Sequence, residues 1–181
     1  MDVGALAAAT VLDVRGKPVP LAQAWAVHPA VVVWLRHFGC VFCREQVAEI
    51  RGKRGEIEAF GGGIAFVGNG TPRAADWLQK RFAADSTVLT DPGLVSYKAI
   101  GARSGLMSTL GPNAWASGIR AFRSGARQST TKGHPYQQGG LVVMGPGDKL
   151  LYQHVSRAAG DHAPVEDVIA ALRSWARSAA A

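Results

Sequence analysis

Both cysteines of the chain lie in one short run, RHFGCVFCREQ, where two residues separate Cys40 from Cys43. Thiols at that spacing can share a disulfide: one thiolate attacks an electrophilic sulfur or oxygen, and its neighbour resolves the mixed disulfide or sulfenic acid that results. The same spacing could supply half of a zinc site, or two inert thiols packed in a core. A zinc site would need further ligands from among His28, His37, His134, His154 and His162, none of which belongs to a second paired motif. Arg36, His37 and Arg44 place positive charge beside the sulfurs, which lowers a thiol pKa and attracts an anionic or peroxide oxygen. His37 could act as a base or proton donor, or be a partly exposed side chain with no role.

The flanking pattern shows which elements must position the pair. AVVVWLRHF is a β-branched run with no polar break before Arg36, as expected of a buried central strand. From Cys43 to about Phe60, Val47, Ile50, Ile57 and Phe60 recur at near-helical spacing, so the spacing predicts a helix opening at the cysteines and weakened by Gly52 and Gly55. A strand feeding into a helix N-terminus puts the sulfurs where unpaired backbone N–H groups favour a thiolate. Upstream, VLDVRGKPVPLAQAW reads as a first strand or hairpin turning at Gly16 to Pro18. Downstream, GGGIAFVGNG is a strand between glycine turns, Thr71-Pro72 opens another helix, and STVLTDPG is a third strand. That order indicates an α/β sheet with crossover helices.

The stretch from about Gly101 to Gln138 is rich in Gly, Ser and Arg and reads as a long irregular insertion, a kind of segment that usually serves function and is expected beside the active site. GGLVVMGPGDKLLYQHV then reads as a hairpin in which Leu150, Tyr152 and His154 alternate with Leu151, Gln153 and Val155. APVEDVIAALRSWARS closes the chain as an amphipathic helix with Val168, Leu172 and Trp175 on one side.

With 181 residues and 48% hydrophobic content, the chain is expected to form a single domain over residues 1–181. The charge balance is 20 − 13 = +7, scattered rather than clustered, which argues for a solvated basic surface and against a nucleic-acid stripe. The longest apolar runs are too short to span a bilayer, and MDVGALAAAT lacks the basic head of a secretory signal, so a cytoplasmic location is expected. In that compartment thiols are kept reduced, and a close cysteine pair is more often catalytic or metal-binding than structural.

The combination of RHFGCVFCRE with LTDPGLVSYKAIG and QQGGLVVMGPGDKLLYQHVS resembles the peroxiredoxin-like proteins of the alkyl hydroperoxide reductase and thiol-specific antioxidant superfamily. The resemblance implies a thioredoxin-like fold, a central mixed β-sheet with helices on both faces and the cysteines at the tip of the first long helix. It implies thiol-dependent reduction of a peroxide, an endoperoxide or a disulfide without metal or organic cofactor, with electrons from thioredoxin or a glutathione and glutaredoxin system. A monomer or weak homodimer is expected, with no nucleic acid or membrane partner. Two alignments of the motif stay open. Against thioredoxin, Cys40 is the attacking thiol and Cys43 the resolving one. Against the peroxiredoxin pattern PxxxTxxC, Cys43 takes the peroxidatic place, Cys40 replaces the threonine and Arg36 the proline. The peroxiredoxin arginine falls near Gly139 and is missing; Arg36, Arg44 or Arg103 could substitute.

Gly139 and Gly140 stand where thioredoxin has its cis-proline, and they could admit a substrate close to the sulfurs or simply shape the turn. The expected catalytic residues are Cys40, Cys43, Arg36 and Arg44, and the expected substrate-lining ones Phe38, Gly139, Gly140 and Arg103. One alternative is a non-catalytic thioredoxin-fold module that holds a partner through its basic insertion; another is a disulfide reductase without peroxidase activity.

Overall fold

The computed structural model describes residues 1–104, 134, 136–158 and 160–179. The chain opens on a short helix, α1 (Val3–Ala7), capped by the Asp2 carboxylate, which accepts from the Ala5 N–H at 2.9 Å. The next stretch forms the expected hairpin: β1 (Thr10–Leu12) pairs antiparallel with β2 (Pro18–Pro20), and Asp13 accepts from the amides of Arg15 and Lys17 in the turn. A 3₁₀ turn (Leu21–Trp25) buries Leu21 and Trp25.

The β-branched run becomes β3 (Ala30–Trp34), every residue of which is buried. The helix predicted from Cys43 to Phe60 is two helices, α2 (Val41–Gly52) and α3 (Arg54–Ala59), which share Lys53 as the residue between them. Lys53 leaves helical geometry at φ −100° and ψ 11°, beside the glycine that lowers helix propensity there. β4 (Gly63–Gly68) and β5 (Thr87–Thr90) flank α4 (Pro72–Phe82), which starts as the sequence predicts: Thr71 accepts from the Ala74 N–H and Pro72 occupies the first turn. A short helix, α5 (Val95–Ala99), follows, and the chain ends with β6 (Gly140–Gly145), β7 (Lys149–Val155) and α6 (Val165–Ala179). A bulge between Val143 and Met144 sets Tyr152 opposite Val143 and Leu150 opposite Met144, so the alternation predicted along β7 breaks at Leu151.

Among the described residues seven strands form one mixed sheet in the order β2-β1-β5-β4-β3-β6-β7. β3 is central, parallel to β4 and antiparallel to β6. Side chains alternate across it. Val31 and Val33 join one core with Val47, Ile50, Leu78, Val168 and Leu172, from α2, α4 and α6. Ala30, Val32 and Trp34 join another with Leu6, Leu21, Trp25 and Tyr97, from α1, the 3₁₀ turn and α5. Helices therefore cover both faces, as the thioredoxin-like arrangement requires. Most of the basic 101–138 insertion lies outside the described residues, and among those described no helix is long and apolar enough to cross a membrane.

Candidate active site

β3 ends at Trp34, and the chain then runs through Leu35 to Gly39 before α2 begins. In α/β sheets such strand-to-helix loops carry binding and catalytic groups. The Leu35 N–H donates to the Val67 carbonyl at 2.8 Å, extending the β3–β4 pairing by one residue, and the Cys40 N–H donates to the His37 carbonyl at 3.1 Å, closing the loop. Phe38 anchors it from inside. Its ring lies over Gly68, where an added Cβ would stand 2.1 Å from the ring edge. Only a residue without a side chain fits there.

Cys40 is the N-cap of α2 and Cys43 lies in its first turn; both are free thiols and only 3% exposed. The two sulfurs are unequal. The Cys43 S–H hydrogen-bonds the Cys40 sulfur and is the main reason that the Cys40 thiol is lowered to about 6; burial opposes the shift, while the Arg36 charge and the amides of Cys43 and Phe42 support it. Burial and then the Cys40 sulfur push Cys43 well above the ordinary thiol range, against the backbone N–H groups of His37 and Arg36. The Arg36 N–H approaches the Cys43 sulfur at 3.3 Å. The pair is asymmetric, with the Cys40 thiol held low and the Cys43 thiol held high.

The expected residues divide into those that meet the sulfurs and those that do not. Arg36 is buried and its charge acts on Cys40. Arg44 follows Cys43 in α2, but its guanidinium lies over the Phe82 ring, 5.5 Å from the centroid. His37 is buried, not partly exposed: it is 3% accessible, and its Nδ1 accepts from the Gly39 N–H at 3.2 Å. Burial, with the Arg36 charge, lowers its pKa to about 4, so it is neutral near pH 7 and can hold a proton on Nε2. Phe38 is wholly buried and belongs to the core of the loop. The close approach that Gly139 and Gly140 permit is made by the chain's own backbone, since added Cβ atoms would meet the Trp34 oxygen at 2.0 Å and the His154 oxygen at 2.8 Å. Arg103 lines a polar cavity of about 780 Å³ with Gln153, His154, Arg157 and Asp161, which includes neither cysteine. In that cavity His154 Nε2 and Asp161 Oδ1 pair at 3.1 Å. Among the described residues no group of three or more His, Cys, Asp or Glu side chains could hold a metal ion.

Two residues at the site escaped the sequence reading. Asn69, buried at the end of β4, donates from Nδ2 to the Arg36 carbonyl at 2.7 Å and accepts at Oδ1 from the His134 N–H at 3.0 Å. Tyr97, on α5, is wholly buried and donates its hydroxyl to the carbonyls of Leu35 at 2.6 Å and Val67 at 3.1 Å. The only signal for Asn69 is a polar side chain ending an apolar strand at the carboxyl edge of a parallel pair, where α/β sites collect.

The model of the family described as AhpC/TSA antioxidant enzyme matches residues 49–158, a span that begins after both cysteines. The chain is 34% identical to "Thioredoxin-like protein AAED1, chloroplastic" of Arabidopsis thaliana, over 89% of this chain and 68% of that one. It is 28% identical to "Peroxiredoxin-like 2C" of Homo sapiens, over 91% and 77% of the two chains. Among solved structures, peroxidoxin BcpB of Mycobacterium tuberculosis superposes with a TM-score of 0.67 at 16% identity, over 92% of each chain, a likeness of fold.

Proposed function

This chain belongs to the AhpC/TSA antioxidant enzyme family and is a peroxiredoxin-type oxidoreductase, and from that membership we propose a reaction carried by the Cys40/Cys43 pair. The observation that supports it is the split between the two thiols: Cys40 is held low by the Cys43 S–H and Arg36, and Cys43 is held high by burial. The thiolate is the nucleophile, so Cys40 attacks first. With a hydroperoxide, the Cys40 sulfur takes the terminal oxygen, the O–O bond breaks, and the alkoxide or hydroxide leaves with a proton, giving Cys40 sulfenic acid. Cys43 then attacks the Cys40 sulfur, and the sulfenic oxygen leaves as water with the Cys43 proton. An external dithiol of the thioredoxin class, or glutathione, returns two electrons and restores both thiols. The cycle uses cysteine chemistry alone, with no metal or organic cofactor.

Arg36 supplies the charge that the missing peroxiredoxin arginine would bring, and the amides of Phe42 and Cys43 at the start of α2 favour the Cys40 thiolate. His37, neutral and buried, gives the loop a polar group that does not compete for the negative charge.

The test is the second-order rate of the reduced chain with hydrogen peroxide. A rate well above that of free cysteine is expected, abolished by Cys40→Ser and leaving a stable Cys40 sulfenic acid in Cys43→Ser. If Cys40→Ser keeps the fast step and Cys43→Ser loses it, the roles are reversed. If neither replacement changes any thiol reaction, the proposal fails.

A further inference from the structure

Tyr97 and Cys43 grip the same peptide bond from opposite sides. The Tyr97 hydroxyl donates to the Leu35 carbonyl at 2.6 Å, and the N–H of that same Leu35–Arg36 peptide donates to the Cys43 sulfur at 3.3 Å. A donor on an amide oxygen draws electron density through the conjugated C–N bond and makes the N–H at its other end a better donor, so hydrogen bonds in series strengthen one another. All the groups in the series are out of water: Tyr97 and Leu35 are wholly buried, Arg36 is 8% exposed and Cys43 is 3% exposed. Low dielectric enlarges the effect of each donor on a developing thiolate.

We infer that Tyr97 is a positioning residue for the resolving step, acting through the Leu35–Arg36 peptide on the sulfur of Cys43. The inference rests on the reading of Cys43 as the resolving thiol. When Cys43 gives up its proton to attack Cys40, negative charge grows on its sulfur, and the Arg36 N–H, beside that of His37, is a donor waiting there. Tyr97 holds that N–H in place, because the same hydroxyl also reaches the Val67 carbonyl at 3.1 Å and so ties the ends of β3 and β4. It also polarises the N–H. Burial and the charges of Cys43 and Asp91 keep the Tyr97 phenol well above its ordinary range, so the hydroxyl remains a donor throughout the cycle. Cys40 draws directly on the Cys43 S–H, Arg36 and the first amides of α2, so Tyr97 reaches the first step only at second hand, through the Cys43 S–H, and affects it less than the second.

Oxidised glutathione separates the two steps. The Cys40 thiolate attacks one sulfur of the glutathione disulfide, releasing a glutathione thiolate and forming a mixed disulfide; Cys43 then attacks the Cys40 sulfur, releasing the second glutathione and closing the internal disulfide. Reduced full-length chain, wild type or Tyr97→Phe, is mixed with oxidised glutathione, quenched by alkylation at set times and weighed by mass spectrometry. Tyr97→Phe is expected to slow closure about three- to tenfold and to leave formation of the mixed disulfide within about twofold. Closure unchanged in Tyr97→Phe, or both steps slowed alike, overturns the inference.

Should Tyr97→Phe fail to fold, fluorination of the Tyr97 ring keeps its shape and makes the hydroxyl a stronger donor. Closure should then be faster, and unchanged or slower closure is fatal to the inference. A wild-type chain that closes with glutathione but ignores hydrogen peroxide overturns the peroxide reading and leaves the role of Tyr97 standing. One that never closes overturns both.

Discussion

The two faces of the sheet at the end of β3 handle polar groups in opposite ways. On the α2 face, Cys40 and Cys43 sit among Val33, Leu35, Phe38, Val47 and Phe66 in a nearly dry apolar cluster. On the α5 face, Trp34 donates to the Ser96 hydroxyl at 3.0 Å, and the Ser96 hydroxyl and N–H both donate to the buried Asp91 carboxylate, at 2.6 and 2.7 Å. Tyr97 stands beside this chain of bonds and reaches the carbonyls of Leu35 in the loop and Val67 in β4. Apart from Arg36 and His37, the sulfurs' side is lined by apolar side chains, and polar groups fixed on the far side orient its backbone. A reactive sulfur gains from this division, because surrounding it with side-chain donors would admit water and weaken each interaction.

The comparison breaks most visibly if the apolar face carries more than packing. Phe66→Ala should cost about 3–5 kcal/mol in denaturant unfolding, by lost burial and the cavity left behind, while the pH midpoint of Cys40 alkylation stays near about 6. A midpoint displaced towards the ordinary thiol range would show that the packing itself sets the thiolate.

Acid probes the buried imidazole on the reactive side. The folded pKa of His37, about 4, lies below the ordinary 6.5, so between those values the unfolded chain binds the proton and the folded one does not. Stability contributed by neutral His37 is therefore present above pH 6.5 and is lost as pH falls towards 4, by up to about 3 kcal/mol. Urea unfolding across that range should show a steeper loss for wild type than for His37→Gln, and parallel curves would contradict the burial of the imidazole.

On the polar face, Asp91→Ala leaves the Ser96 N–H and hydroxyl without their acceptor and should cost about 2 kcal/mol. A loss no larger than that of a surface substitution would mean that this face does not depend on its hydrogen bonds. The smallest effect on folding, and the sharpest on chemistry, belongs to Cys43→Ala. It removes the S–H that does most to lower Cys40, so the alkylation midpoint should rise towards the ordinary thiol range, whereas Cys43→Ser, which keeps a donor, should raise it less.

Much of this arrangement was legible in the sequence because it is local. The β-branched run of β3, the Thr71-Pro72 start of α4 and the thiols at a strand-to-helix junction each need only neighbouring residues to declare themselves. The short helices α1 and α5 did not, because five residues carry no helical period. Nor did the partners of the loop: Tyr97 reaches Leu35 across 62 residues of sequence, and Asn69 reaches Arg36 across 33. Such pairings depend on which strands lie side by side, and spacing along the chain does not encode that. The sequence left the purpose of Gly139 open for the same reason, since the atom crowding its missing side chain is the Trp34 oxygen of the neighbouring strand.

Cys40 occupies the N-cap of α2, a place usually held by Ser, Thr, Asp or Asn, and its side chain makes no hydrogen bond of the usual capping geometry. Its thiolate, by contrast, is favoured by the amides of Phe42 and Cys43. The first turn of α2 is therefore best closed in the reduced, ionised chain and loses that closure when the sulfur is oxidised. Oxidation of Cys40 should be readable as amide exchange: the N–H groups of Phe42 and Cys43 are expected to trade with solvent slowly in the reduced chain and faster in the oxidised one.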